Sequence, residues 1–230
     1  MSFVCLIPAR KNSRRLKNKN MRILKGKPMI YYTIKSSTNS KFIKQTYVFS
    51  DSEKIINYSK KFNISKCCER PKNLSRSKTP MSETVEYFVR KMKLKQNKKL
   101  KYLILLQPTS PQRKSRDIDM ACKLILKNPK ADSLVSSFQI KGLDVSRLMF
   151  LINSYLHLNK NLKFNKKTLL FHRNGPSILI TKIKNITKTN LYEKGKILNF
   201  VMKRENSIDI DDLSDFKKAQ KDLNYSIKNN

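Results

Sequence analysis

Phe3-Val4-Cys5-Leu6-Ile7 runs directly into Pro8-Ala9-Arg10-Lys11-Asn12-Ser13-Arg14-Arg15-Leu16-Lys17-Asn18-Lys19-Asn20, and this stretch decides the fold. Five apolar residues in succession read as a strand buried on both faces, the pattern of a parallel sheet. The polar residues after it form a loop beyond the strand's carboxyl end. Working outward, Pro28 suits the first position of a helix over 29–39. Residues 46–49 read as a strand and 52–62 as a helix. Ser82 resembles the N-cap of a helix reaching about residue 96, with Glu83 and Glu86 where the helix dipole favours acids. Residues 102–106 repeat the two-faced apolar run, 116–127 are helical by spacing, and 133–138 form another strand. Strands separated by helices predict an α/β fold with a doubly wound, mostly parallel, Rossmann-like sheet.

From 141 to 200 the alternation loosens into short apolar runs at 148–152, 168–171, 177–180 and 197–201. That segment is expected to be an inserted arm. Residues 1–140 and 201–230, ending in a helix over 213–223, are expected to make the α/β domain.

Composition bounds the function. The 230 residues hold 51 Lys+Arg against 16 Asp+Glu, a formal net charge of +35, and 39% are hydrophobic, enough for a core. No apolar run reaches the roughly 18 residues of a membrane span. The first residues lack the pattern of a signal peptide. Cys5, Cys67, Cys68 and Cys122 have no C-x-x-C spacing and the histidines are two, His157 and His172. Neither disulfides nor a structural zinc site is expected, and the expected location is cytoplasmic. A pI near 10.2 is that of a nucleic-acid binder. The lysines, however, are spread along the chain with abundant Asn and Ile. They read as solvated faces, with no nucleic-acid partner expected.

Ligands of open α/β sheets bind beyond the carboxyl ends of the strands. One edge thereby gathers six basic residues of the 8–20 loop, Ser50-Asp51, and Gln107-Pro108-Thr109-Ser110-Pro111. Cations, short polar side chains and backbone N–H groups make a polyphosphate environment. With four glycines (Gly26, Gly142, Gly175, Gly195), neither G-x-G-x-x-G nor a Walker loop can be written. This argues against a dinucleotide oxidoreductase and against P-loop NTPases. Neither histidine has the motif context of a hydrolase beside Ser110. Cys67-Cys68 reads as buried packing.

Several blocks together resemble the acylneuraminate cytidylyltransferases, the CMP-sialic acid synthetases. They are Ile7-Pro8-Ala9-Arg10 with residues 12–20, Gly26-Lys27-Pro28-Met29-Ile30, Phe49-Ser50-Asp51-Ser52, Glu69-Arg70-Pro71, residues 106–113, Arg173-Asn174-Gly175-Pro176, and Ser207-Ile208-Asp209-Ile210-Asp211. The resemblance implies transfer of CMP from CTP to a nine-carbon nonulosonic acid, with pyrophosphate released, Mg²⁺ as cofactor and a homodimer as the assembly. Arg10 and Lys19 then match cations on the triphosphate, with Arg14 helping and Ala9 and Ser13 beside it. Asn20 matches a CTP ligand and Arg70 a reader of cytosine. Gln107, Arg173 and Asn174 match the sugar side, and Asp209 and Asp211 the metal pair. The arm becomes a dimerisation and sugar-binding element in which Leu148, Phe150, Ile152, Phe171 and Tyr192 need a covering surface, Tyr192 closing the partner's sugar pocket. His172 either contacts the sugar carboxylate or lies on the surface. The sequence departs from the family at Lys11-Asn12, where it has Gly-Gly, at Ser77, where an Asp is usual, and at 177–180, where a Tyr is missing. Asn at position 12 would tolerate a left-handed backbone. An eight-carbon keto-deoxy acid is the alternative substrate.

The acidic pair also has an independent reading. In an extended segment residues two apart share a face, so Asp209 and Asp211 converge while Ile208 and Ile210 face the core. Two close carboxylates repel unless a cation lies between them. Asp212 alone can cap the final helix, so capping does not account for Asp209.

Overall fold

β1 (Phe3–Pro8) is buried along its whole length and occupies the middle of the sheet. The computed structural model describes residues 2–140, 149–152, 155–158, 170–173 and 177–223. After β1 come the two-residue strands β2 (Ile23–Leu24) and β3 (Lys27–Pro28), then α1 (Met29–Thr38), β4 (Gln45–Ser50), α2 (Glu53–Ser59) and β5 (Lys66–Glu69). α3 (Met81–Lys91), β6 (Tyr102–Leu105), α4 (Ser115–Lys127) and β7 (Ser133–Ile140) follow. The second half supplies β8 (Met149–Ile152), β9 (Tyr155–Leu158), β10 (Leu170–Arg173), β11 (Leu179–Lys182), β12 (Ile197–Val201) and α5 (Leu213–Asp222).

The sheet order is β5-β4-β1-β6-β11-β7, with β10 and β12 also pairing β7. β1 is parallel to β4 and β6, β4 to β5, and β12 to β7. β11 runs antiparallel between β6 and β7. The alternation of β1 shows the double winding. Phe3, Cys5 and Ile7 pack with Ile30 and Ile34 of α1 and Ile118, Cys122 and Ile125 of α4. Val4 and Leu6 point the other way, onto Val85, Phe88 and Val89 of α3. A third cluster joins Leu16 of the loop, Leu24, and Met29 and Tyr32 of α1 to Ile210 and to Phe216 and Ala219 of α5. This cluster brings the far end of the chain back to the first loop.

The boundary of the expected arm moves. β11 and β12 were placed in it, yet both lie in the main sheet. Ile178, Leu179 and Ile180 are wholly buried, the same two-faced burial as β1. A strand that arrives without a helical crossover is free to pair antiparallel, which no strand–helix alternation announces. Of the described residues in 141–200, the β8–β9 hairpin forms a separate sheet. Leu148 lies outside the described residues. α3 begins at Met81 behind Pro80, not after a Ser82 cap, and the Ser82 hydroxyl instead donates to the Lys188 carbonyl at 2.7 Å. Pro28 occupies the N-cap of α1, one position earlier than expected. β5 is the strand on which Cys67-Cys68 lies. It carries Cys68 buried and Cys67 half-buried, as packing residues. Burial pushes the Cys5 thiol up to about 12, and raises Cys122 further.

The entry to β12 is set by a carboxylate. Asp132 accepts from the Lys196 amide at 3.0 Å and the Asn185 side chain at 3.1 Å. Gly195 has φ 91, and a β-carbon there would fall 2.9 Å from Asp132 Cγ. Gly195→Ala is therefore expected to destabilise by more than about 1 kcal/mol. That corresponds to a drop of about 2–4 °C or more in Tm. Thermal melts should show little change in the neighbouring control Lys194→Ala.

Candidate active site

The loop after β1 is held at three points. The Ala9 amide donates to the Phe49 carbonyl at 2.9 Å, the Lys11 amide to Asp51 Oδ1 at 2.7 Å, and the Asn20 side-chain amide to the Arg10 carbonyl at 2.9 Å. Arg10 is half-exposed and Ser13 half-buried between them, while Arg14 stays exposed. Asn20 is 8% exposed and braces the loop from inside. The left-handed residue of the loop is Asn18, at φ 53, and not Asn12. Asn tolerates that conformation better than most residues.

Lys19 departs from expectation. The resemblance implies a cation facing the triphosphate, yet Lys19 is 9% exposed. Its Nζ donates to the Ile210 carbonyl at 2.8 Å and to Asp211 Oδ1 at 3.2 Å. Arg15 donates to the other oxygen of Asp211 at 2.8 Å. Lys19→Ala thus removes a charge and also a tie between two ends of the chain.

Asp209 and Asp211 lie near one another on a segment with no regular secondary structure, pinned by the Ile210 amide on the Thr109 carbonyl at 2.8 Å. Ile210 is fully buried and Ile208 packs on the same cluster, as alternation requires. Asp212 caps α5, and Asp215 answers with a reciprocal bond to its amide. Burial holds the Asp209 carboxyl above its ordinary range, and the Asp211 charge adds to the effect. The Thr109 hydroxyl and Lys19 work against it. Neither Asp209 Oδ1 nor Thr109 Oγ1 completes a hydrogen bond of normal geometry within the chain. An orphaned carboxylate oxygen beside a second carboxylate fits a divalent cation, which Mg²⁺ satisfies through one or two carboxylates plus substrate phosphates. Among the described residues no group of three His, Cys, Asp or Glu side chains could hold a metal, so substrate oxygens would have to complete its shell.

Two buried guanidinium groups flank this edge. Arg70, at the end of β5, donates to the Leu74 carbonyl and to Thr84 Oγ1 at 3.0 Å, leaving its Nε–H without a partner. Burial lowers it to about 10, Asp51 opposing and Arg10 assisting. Arg113 is 2% exposed, and its residue context alone assigns it no role. It donates to Thr33 Oγ1 at 2.9 Å, to the Ser177 carbonyl and to the Gln107 carbonyl. This bolts α1, the turn after β6 and the approach to β11 together around Gln107, which is itself half-buried. The signal that could have found it is an arginine directly following a turn of prolines and hydroxyls. Arg173 lies farther out, on β10, with its guanidinium 5.4 Å from the Tyr192 ring centroid. Tyr192, expected to reach a partner, thus has an intrachain contact. His172 is exposed beside Phe138. Asn174 lies outside the described residues.

A mostly parallel sheet with a cationic loop beyond its central strand, and carboxylates brought against that loop, defines a nucleotidyltransferase fold. The chain belongs to the cytidylyltransferase family, whose model matches residues 4–219. It is 31% identical over 225 residues to the N-acylneuraminate cytidylyltransferase of Escherichia coli O18:K1:H7, covering 94% of this chain and 51% of that protein. It is also 31% identical over 141 residues to the CMP-N,N'-diacetyllegionaminic acid synthase of Legionella pneumophila, 61% of this chain and 60% of that one. The chain spans about half the length of the N-acylneuraminate relatives that it matches over most of its own. Among solved structures, a CMP:2-keto-3-deoxy-manno-octonic acid synthetase complexed with CTP superposes with a TM-score of 0.71 at 16% identity, over 96% of this chain and 98% of that one. A 4-diphosphocytidyl-2C-methyl-D-erythritol synthase from Anaerococcus prevotii gives 0.66 at 10% identity, over 96% and 95%. These two likenesses establish the fold.

The raised Asp209 carboxyl makes a stability prediction. Its folded value lies above the ordinary 3.8, so the ionised group destabilises the fold at neutral pH. Stability rises as pH falls through the folded value, and the gain is complete below 3.8. Asp209→Asn should therefore melt above the parent at neutral pH, with the gap closing as the medium is acidified. Melts recorded across the acid range check this, and a gap independent of pH would contradict it.

Proposed function

We propose that the chain transfers CMP from CTP to a nonulosonic, sialic-type acid. The anomeric oxygen of the sugar acid attacks the α-phosphorus, the bond from that phosphorus to the bridging oxygen breaks, pyrophosphate leaves, and the hydroxyl proton is lost. The observation that carries the reading is the meeting of the 10–19 cations with Asp209 and Asp211 at one sheet edge. The names of the relatives support the sugar class.

In this reading Arg10 faces the triphosphate with Arg14 and Ser13, and Lys19 contributes charge from below while fixing the loop. Fixed cations stabilise negative charge that builds at a transferring phosphoryl group without having to reorganise. Ala9 backbone and Arg70 lie on the cytosine side. Gln107, shaped by Arg113, lies on the sugar side with Arg173 and Asn174. Asp209 and Asp211 would hold Mg²⁺, which when bound neutralises phosphate charge and polarises the phosphorus. Asn20 acts here as a brace for Arg10.

The test is pyrophosphate release from CTP and Mg²⁺ with a panel of nonulosonic acids. Turnover with at least one is expected, and none with any would overturn the reading. Arg10→Ala should stay folded and lose on the order of 10²-fold in turnover. An unchanged rate would remove Arg10 from the site.

A homodimer belongs to the same proposal, supported by apolar side chains left exposed at Phe171, 39%, Ile197, 46%, and Val201, 53%. Sedimentation should show a species of twice 27.0 kDa at micromolar concentration, and a purely monomeric boundary would contradict it. Unpaired cysteines fit the cytoplasm, where the reading places the protein.

A further inference from the structure

Asp209 and Asp211 are not equivalent. Asp211 has both oxygens taken, one by Arg15 at 2.8 Å and one by Lys19 at 3.2 Å. Asp209 keeps an oxygen with no partner. A divalent cation arriving at this pair meets no ion-pair partner on Asp209 among the described residues, but must take an Asp211 oxygen from one of two resident cations.

Those two differ in how easily they yield. The Lys19 side chain is 11% exposed and its ammonium is also bonded to the Ile210 carbonyl at 2.8 Å. Releasing Asp211 would leave it in place among the same neighbours. The Arg15 side chain is 66% exposed and stands on the phosphate-facing loop. Released, it can turn into water or toward phosphate oxygens.

We infer that Arg15 is a positioning residue that competes with the divalent cation for Asp211 until a triphosphate draws its guanidinium away. The inference rests on the reading that Asp209 and Asp211 hold the metal. In the nucleotide-free protein Arg15 keeps Asp211 occupied and lowers its affinity for a bare cation. When nucleotide arrives with the cation, two pairs exchange: Asp211 passes from guanidinium to metal, and Arg15 from carboxylate to phosphate. No charge is left unpaired, so the exchange is favourable with the triphosphate and unfavourable without it. An exposed ion pair is weak, which sets the effect at about two- to fivefold in affinity.

Arg15 has an internal control. Lys17 is exposed on the same loop and carries the same charge, and among the described residues no ion pair joins it to Asp211, so Lys17→Ala controls for the loss of one loop charge. Mn²⁺ would be titrated against parent, Arg15→Ala, Arg15→Lys, Lys17→Ala and Asp209→Asn proteins, reading free aquo-Mn²⁺ by EPR with and without CTP. Without nucleotide, Arg15→Ala should bind Mn²⁺ about two- to fivefold more tightly than Lys17→Ala, with Arg15→Lys returning toward the parent. With CTP the advantage should close or reverse. Equal affinities of Arg15→Ala and Lys17→Ala without nucleotide, or an advantage that CTP leaves untouched, would overturn the role of Arg15 while Asp209→Asn still weakens binding. Unweakened Mn²⁺ binding by Asp209→Asn in the presence of CTP would instead overturn the metal site itself.

Discussion

A strand buried on both faces has no room for polar side chains along its length. β1 accepts that constraint completely, with every residue from Phe3 to Ala9 shielded. Its polar business is therefore displaced to the end of the strand, where the chain first reaches solvent at Arg10. β4 ends beside it at Ser50, with Asp51 next, and β6 at Leu105, two residues before Gln107. Parallel pairing aligns these ends on one edge, so the cationic loop, Asp51 and the hydroxyl-rich turn meet because the core excludes them.

Buried charge is what makes that edge rigid. Arg70 and Arg113 lie inside the protein and, among the described residues, bond carbonyls and hydroxyls instead of carboxylates. Each keeps a positive charge near the site that no direct carboxylate bond ties up, with Asp51 acting on Arg70 and Asp117 on Arg113 only through space. Lys19 adds a charge from beneath the loop, bonded both to the Ile210 carbonyl and to Asp211. An anionic substrate approaching this edge meets positive groups that are already oriented, which is the condition under which electrostatic stabilisation is most effective.

Much of this was legible in the sequence. The apolar runs at 3–7 and 102–106 are what central strands require, and the loop and the acidic pair stood out because carboxylates are few among 51 basic residues. The alternation that converges Asp209 and Asp211 on one side holds even though their segment pairs with no strand. What stayed hidden was non-local. Nothing near Leu179 states that it enters the sheet antiparallel between β6 and β7, because that depends on strands more than 40 residues away in sequence. Burial of Lys19 depends on Ile210 and Asp211, and the work of Arg113 on Thr33 and Ser177, so neither is written in its own neighbourhood. Arg15 looked like one more basic residue in a basic loop.

The third apolar cluster, which clasps Leu16 and Met29 to Ile210, Phe216 and Ala219, bears on the order in which the protein assembles. Contacts this distant in sequence form late, after the loop-closure entropy has been overcome. On a ribosome the cationic loop and the sheet's first strands emerge long before residues 209–223 do. During that interval the loop cations have no acidic counterpart from the far end and the basic nascent chain is open to any polyanion nearby. Closure of the cluster ends that exposure and brings the acidic pair to the loop in one event, so a chain cut short before residue 209 would hold the cations without the carboxylates.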